Sequence, residues 1–279
     1  MVSIRILILG SLTIDIIEGK KLKGGPAYFC SLAAELLGVE YFCCGIKPWG
    51  YQWDQPNGEF MMAEGPMFEH RYVGSERISN LIAAPRIFKR DIPNLTNYDI
   101  VFINPVYKEF DYELVKHIAS RRRVVIDAQG FLRQTHGRRI VIMKAGKAEL
   151  ELFNRCWVLH ISADELSAFD SIPPKPITLI TYGAEGSRLI VKEKEYFVPA
   201  YRVEGDQTGA GDFFIVIFAV RYTQNDDPLE ATLYATAATS LFVEGVIPRN
   251  LKLARTLLSK VEKLIDQRLR ALRPKIKEI

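Results

Sequence analysis

Short apolar runs that alternate with helical stretches constrain this chain more than any other feature. Residues 4–9, 41–46, 99–105, 123–128, 158–161 and 177–181 are apolar runs of strand length. Residues 26–37, 112–120, 148–156 and 164–169 lie between them with helical spacing. Strands separated by helices return in the same direction, so the pattern predicts an α/β fold with a mostly parallel sheet. Gly10 ends the first run, and Pro26 opens the first helix with Gly24 and Gly25 before it and Gly38 after it.

Two segments break this rhythm. Residues 47–58 are turn-rich and aromatic, too irregular for a core element. Within residues 59–90, the stretches 68–73 and 80–88 alternate in hydrophobicity, which suits a small antiparallel sheet. The expectation is one domain over residues 1–279, with a β-strand lid inserted at about 47–90.

Composition narrows the class. With 48% hydrophobic and 25% charged residues in 279, the chain reads as an ordinary globular domain. Its longest uncharged apolar stretch, residues 213–220, stops at Arg221, well short of a membrane span. The start of the chain lacks a leader pattern and reads as a buried strand. Cys30, Cys43, Cys44 and Cys156 sit in apolar segments without a Cys-x-x-Cys spacing, so they are expected as reduced core residues of a cytoplasmic protein. The neighbours Cys43 and Cys44 should point to opposite faces of a strand. The net charge of +4 is uneven: residues 251–279 hold nine Lys/Arg and three Asp/Glu. Apolar residues at helical spacing there (Leu253, Leu257, Val261, Leu264, Ile265) predict a docked helix with a basic outer face. Neither a nucleic acid nor a membrane is expected as a partner.

Chemistry concentrates in Asp206-Gln207-Thr208-Gly209-Ala210-Gly211-Asp212-Phe213-Phe214, which opens an apolar helix. Small residues at 209–211 let main-chain amides approach a ligand, and the helix directs free N–H groups and its positive end to the same point. That is an anion hole suited to phosphate. A carboxylate beside it, Asp212, would be repelled by its ligand unless it accepts a proton from a hydroxyl attacking the phosphate. The helix dipole should lower its basicity, which a loose phosphoryl-transfer transition state tolerates.

This segment resembles the signature of the ribokinase-like, or PfkB, family of carbohydrate and nucleoside kinases. Gly24-Gly25-Pro26-Ala27 is similar to the family's N-terminal di-glycine motif, and Gly10 with Asp15 to its first strand-end motif. The resemblance runs in order along nearly the whole chain and implies a three-layer α/β/α fold. It implies Asp212 as catalytic base and Gly209, Ala210 and Gly211 as anion hole. Asp206 would then lie near the metal, and Glu165 would belong to a magnesium–water network. In the matching Ser162-Ala163-Asp164-Glu165, however, Ser162 replaces the family's Asn. A helix cap with Glu165 completing a capping box is the alternative reading.

Thr181, Gly183 and Gly186 resemble a nucleotide loop, for which a plain hairpin turn is the alternative. With Thr208 and Ser240, the latter on a helix that flanks adenine in the family, they make up the implied ATP site. On the acceptor side, Asp15, Gly24, Gly25, Gln129 and Arg133 are the candidates. Residues 127–133 resemble a motif of an archaeal branch that includes myo-inositol 3-kinase. Two departures stand out: Phe29 occupies the position of a sugar-binding Asn, and Ile215, Val216 and Ile217 replace small residues.

The expected activity is transfer of the γ-phosphoryl group of ATP, with Mg2+, to a hydroxyl of a sugar or polyol, myo-inositol-like compounds favoured. A nucleoside acceptor and a non-catalytic ligand sensor are the alternatives, and the protein is expected as a monomer or homodimer. No Gly-x-x-x-x-Gly-Lys-Ser/Thr loop, His-Arg-Asp loop or Gly-x-Gly-x-x-Gly turn occurs, so P-loop, protein-kinase and Rossmann readings lack support.

Overall fold

In the computed structural model, which describes residues 4–73, 76–88, 92–174 and 176–279, strands and helices alternate as the apolar runs predict. The chain begins with β1 (Arg5–Gly10), β2 (Thr13–Ile17), β3 (Lys20–Gly24), α1 (Pro26–Leu37), β4 (Glu40–Pro48) and β5 (Gly58–Ala63). Next come β6 (Met67–Val73), β7 (Glu76–Ala83), β8 (Ile100–Asn104), α2 (Tyr112–Ala119), β9 (Arg123–Asp127) and α3 (Gln129–Leu132). Then follow β10 (Arg133–His136), β11 (Arg139–Ile142), α4 (Lys147–Phe153), β12 (Val158–Ser162), β13 (Ile177–Thr181), β14 (Gly186–Val191) and β15 (Lys194–Pro199). The last elements are α5 (Ala210–Asn225), α6 (Pro228–Val243), α7 (Leu251–Thr256), α8 (Leu258–Leu272) and β16 (Lys277–Glu278).

Ten strands form the main sheet in the order β16-β15-β14-β13-β12-β9-β8-β1-β4-β5. Neighbours from β13 through β5 are parallel, and β14, β15 and β16 add an antiparallel edge. Both faces are covered. In β1, Ile6 and Ile8 pack into one apolar cluster with α1, α5 and α6, while Leu7 and Leu9 pack into another with α2 and α4. Cys43 and Cys44 divide the same way, and all four cysteines are buried. The layers are therefore α/β/α. Strand order reverses at β1, whose neighbours are β4 on one side and β8 on the other, so a crevice opens beyond the carboxyl ends of β1 and β8.

A second sheet of six strands has the order β10-β11-β7-β6-β2-β3. It differs from the lid expected at 47–90. Residues 47–48 complete β4, and β5 pairs with it in parallel, so this stretch belongs largely to the main sheet. The second sheet instead recruits residues 13–24 and 133–142. Its strands β3 and β10 are mostly polar, with too little alternation to register as strands, and they are held by pairing with β2 and β11, which in turn join β6 and β7.

Residues 164–169, read as a helix, form a short 3-10 helix from Ala163 to Ala168. The terminal helix is broken at Leu257 into α7 and α8. Leu251, Ala254, Val261, Ile265 and Leu272 are buried, whereas Leu253 stays exposed. No helix among the described residues is long and apolar enough to cross a membrane.

Candidate active site

The carboxyl ends of β8, β9, β12 and β13 present Asn104, Asp127, Ser162 and Thr181, and α5 begins above them. Its N-cap, Gly209, has φ 74°, and no side chain caps the helix. A Cβ at Gly209 would lie 2.1 Å from the Phe29 ring, so this position needs glycine for both conformation and space. Phe29, which stands where a sugar-binding Asn was looked for, is thus the platform beneath the loop. The anion hole is narrower than expected: the Ala210 amide already donates to the Gln207 carbonyl at 3.0 Å. The amides of Gly209 and Gly211 have no acceptor among the described residues and remain available to an anion.

Asp212 stays partly open to solvent, and its Oδ1 accepts a hydrogen bond from Asn104 Nδ2 at 3.1 Å. Burial of the carboxyl pushes its pKa up to about 7, and the nearby Asp127 charge adds to the rise. Asn104, His160 and Arg133 oppose it without winning. This reverses the expectation that the helix dipole would lower its basicity: desolvation and a like charge outweigh the dipole.

Below Asp212 lies a chain of buried polar groups. Asp127 Oδ1 accepts from the Gln129 amide at 2.9 Å, and Asp127 Oδ2 lies 2.6 Å from His160 Nδ1. His160 Nε2 meets Thr181 Oγ1 at 3.1 Å. Arg133 donates to Gln129 Oε1 at 2.7 Å, which joins the two acceptor-side candidates into one unit. Glu165 is buried and accepts from the Ser162 amide at 2.8 Å, the capping-box arrangement. Burial raises its pKa, and Asp127 adds to the rise.

Asp15 is buried at the start of the second sheet, where Thr13 Oγ1 donates to it at 2.9 Å and His70 Nε2 lies 3.7 Å away. Gly24 lets that carboxylate lie flat, because a Cβ there would come within 2.3 Å of Asp15 Oδ2. Gly25, at φ 96°, caps α1. Facing this group, Tyr28 bonds Lys23 and sits 3.2 Å from Asp54, while Tyr51 is close enough to feel the Asp15 charge.

Other candidates take different roles. Asp206 accepts from the Thr208 amide at 2.9 Å and pairs with Arg249 at 3.4 Å. Arg249 also donates to the carbonyls of Thr208 at 2.7 Å and Asp206 at 2.6 Å, so it fixes the loop below the anion hole. Asp206 thus folds the loop, and its engaged carboxylate does not fit a direct metal ligand. Glu165 fits better as an acceptor for metal-bound water, since magnesium keeps several waters and takes few protein ligands.

Gly183 abuts Gln207, and residues 183–185 form the turn between the antiparallel β13 and β14. Gly186 is required by close packing, a Cβ there falling 2.2 Å from the Val198 carbonyl. Ser240 is committed elsewhere: it donates to Ala237 O at 2.6 Å and accepts from Arg268 at 2.6 Å. A concavity of about 1180 Å³ lies at the opposite, amino ends of the strands beside Arg121, Arg123, Arg155 and Arg221. Helix carboxyl ends converge there and account for the arginines.

Comparison with known proteins decides the family. The description "pfkB family carbohydrate kinase" fits residues 81–251, more than half of the chain. The chain belongs to the pfkB family. Ribokinase of Bacillus subtilis (strain 168) is 38% identical to this pfkB member over 81 residues, a match spanning 28% of each protein. Among solved structures, a pyrophosphate-dependent kinase in the ribokinase family, complexed with a pyrophosphate analog and myo-inositol, superposes with a TM-score of 0.71. It is 20% identical, and the match covers 90% of this chain and 99% of that one. Ribokinase of Arabidopsis thaliana, complexed with ribose and ATP, gives a TM-score of 0.61 at 19% identity, covering 92% and 99%. These likenesses establish the ribokinase-like fold.

Asn104, His160 and Arg249 were not foreseen as site residues of this pfkB family member. A signal existed for His160, the one ionisable residue in the apolar run 158–161, and for Asn104, the polar end of another such run. Arg249 gave none, since it reaches the loop across 43 residues of sequence.

Proposed function

We propose that the protein transfers the terminal phosphoryl group of ATP to a hydroxyl of a sugar or polyol, with myo-inositol-like compounds foremost. The single observation that carries this reading is Asp212, held by Asn104 at the start of a helix whose Gly209 and Gly211 amides are free. An anion hole and a proton acceptor side by side match an alcohol attacking a phosphoryl group. Oδ2 of Asp212 would take the hydroxyl proton while the two amides hold the transferring group. A pKa near 7 makes this carboxylate a stronger base than an ordinary one and still ionised in part at neutral pH.

The Gln129–Arg133 unit and Asp15 are the groups that would orient acceptor hydroxyls, consistent with a compound rich in them. Magnesium, held through water by Glu165, would neutralise charge on the phosphates. A cavity of about 550 Å³ beside the 183–185 turn, lined by Ala184, Phe197, Pro199 and Ala200, offers an apolar place for a base.

A second donor, pyrophosphate, is favoured by a specific observation. Ser240 is engaged by Arg268, which also pairs with Glu244 and lies 4.5 Å from the Tyr201 ring centroid. Gly205 presses on α6 so closely that a Cβ there would come 1.9 Å from Val243 O. That packing fills the α6 side of a base site, and a donor without a base would not need it. Phosphotransfer measured over a panel of polyols, sugars and nucleosides, with ATP and with pyrophosphate, tests both readings. Release of ADP or phosphate that depends on one acceptor supports the kinase, and the donor used decides between the two. Ligand binding without turnover of either donor would leave a sensor.

A further inference from the structure

His160 has no part in the reaction as drawn so far, yet its side chain is buried under α5. It is 3% exposed, on the central strand β12. Its ring lies directly beneath Gly211, where a Cβ would come within 3.1 Å of Cε1. One ring nitrogen is 2.6 Å from Asp127, and the other is 3.1 Å from Thr181, so both edges are fixed by partners on the two neighbouring strands. Such a ring cannot turn toward a substrate, and it contributes through charge and position.

We propose that His160 is a positioning residue for the reaction: as an imidazolium it neutralises Asp127 from below and so keeps Asp212 available as a proton acceptor. This rests on the phosphotransferase reading, with Asp212 as the base. Three carboxylates approach this spot from three elements: Asp127 ends β9, Glu165 follows β12, and Asp212 opens α5. The cations facing them are His160 and Arg133, and the Cys30 thiol, pushed far up by burial, adds no charge. Burial alone would lower the imidazole's pKa, but Asp127, 2.6 Å from its Nδ1, outweighs this and raises it above the ordinary value, with Glu165 and Asp212 adding to the rise. Without that cation, Asp127 would stand uncompensated beside Asp212, and two like charges in a dry site do not both ionise readily.

The test uses H160Q and the double variant D127N/H160Q, each also in a D212N background. The difference in thermal stability between a protein and its D212N version, followed from pH 5 to 9, reports Asp212 ionisation without any turnover. H160Q is expected to move that inflection upward by about one pH unit, as loss of a close opposite charge does. It should move the acid limb of kcat in parallel, so that activity lost at neutral pH recovers at alkaline pH. D127N/H160Q removes both charges and is expected to return the inflection toward that of the unaltered protein.

An inflection that is the same in all three overturns the proposal, as does a double variant displaced as far as H160Q. If the inflection moves as described while no acceptor is phosphorylated, the charge coupling stands and the kinase reading falls. Should H160Q alone fail to fold, the double variant, compared with the unaltered protein and with D127N, carries the test.

Discussion

At Asp212, burial and the Asp127 charge decide the side chain's behaviour, and the same environment that raises its proton affinity makes its ionised form costly. Its folded pKa, near 7, lies above the ordinary carboxylate range, so folding favours the protonated form. The stability this contributes is complete at acid pH and is lost as pH rises through about 7. Asn mimics the protonated carboxyl. D212N is therefore expected to match the unaltered protein in thermal unfolding only at about pH 3, below the ordinary carboxylate pKa, and to exceed it by a growing margin up to pH 8. The same substitution should lower kcat by roughly 10²–10⁴, the usual share of a proton acceptor, measured with the preferred acceptor and donor. Equal unfolding curves at both pH values would show that the carboxyl is not in the environment described.

At the scale of elements, the start of α5 is shaped from two sides. Phe29 on α1 packs against Gly209, and Arg249 before α7 ties down the carbonyls of Thr208 and Asp206. Gly209→Ala puts a methyl group where the Phe29 ring stands and a side chain at positive φ. A loss of about 1–3 kcal/mol in urea unfolding is expected, together with collapse of activity. Arg249→Met keeps the bulk but removes two charge-assisted hydrogen bonds to the loop. The donor KM should rise about tenfold or more, with a smaller change in kcat. A kcat effect without a KM effect would mean that the loop serves chemistry rather than donor binding. The motif 206–214 was legible because its glycines and acid are contiguous. Asn104, His160 and Arg249 were not, because each joins the site only through strand order or a crossing loop.

For the whole molecule, the second sheet carries Asp15 and Arg133 of the acceptor candidates, and Tyr51 of the 47–58 stretch lies near enough to Asp15 to feel its charge. Trp53 packs on Tyr51 at 5.2 Å, whereas Trp157 stacks with Tyr222 at the far, amino end of β12. Acceptor binding between the sheets is expected to change intrinsic tryptophan fluorescence. The change should vanish in W53F and persist in W157F, as read in an equilibrium titration. Persistence in W53F together with loss in W157F would place the ligand at the amino ends of the main-sheet strands.

The three-layer class came from the family resemblance, while the sequence alone indicated the alternation of the core strands and helices and the small-residue start of α5. These depend on local periodicity and on contiguous small residues, which a linear chain displays directly. Tertiary structure decided the membership of the second sheet, the basicity of Asp212 and the alternative use of Asp206 and Ser240. Strand pairing, desolvation and competition for a hydrogen-bond partner depend on what lies nearby in space, and segments distant in the chain supply it.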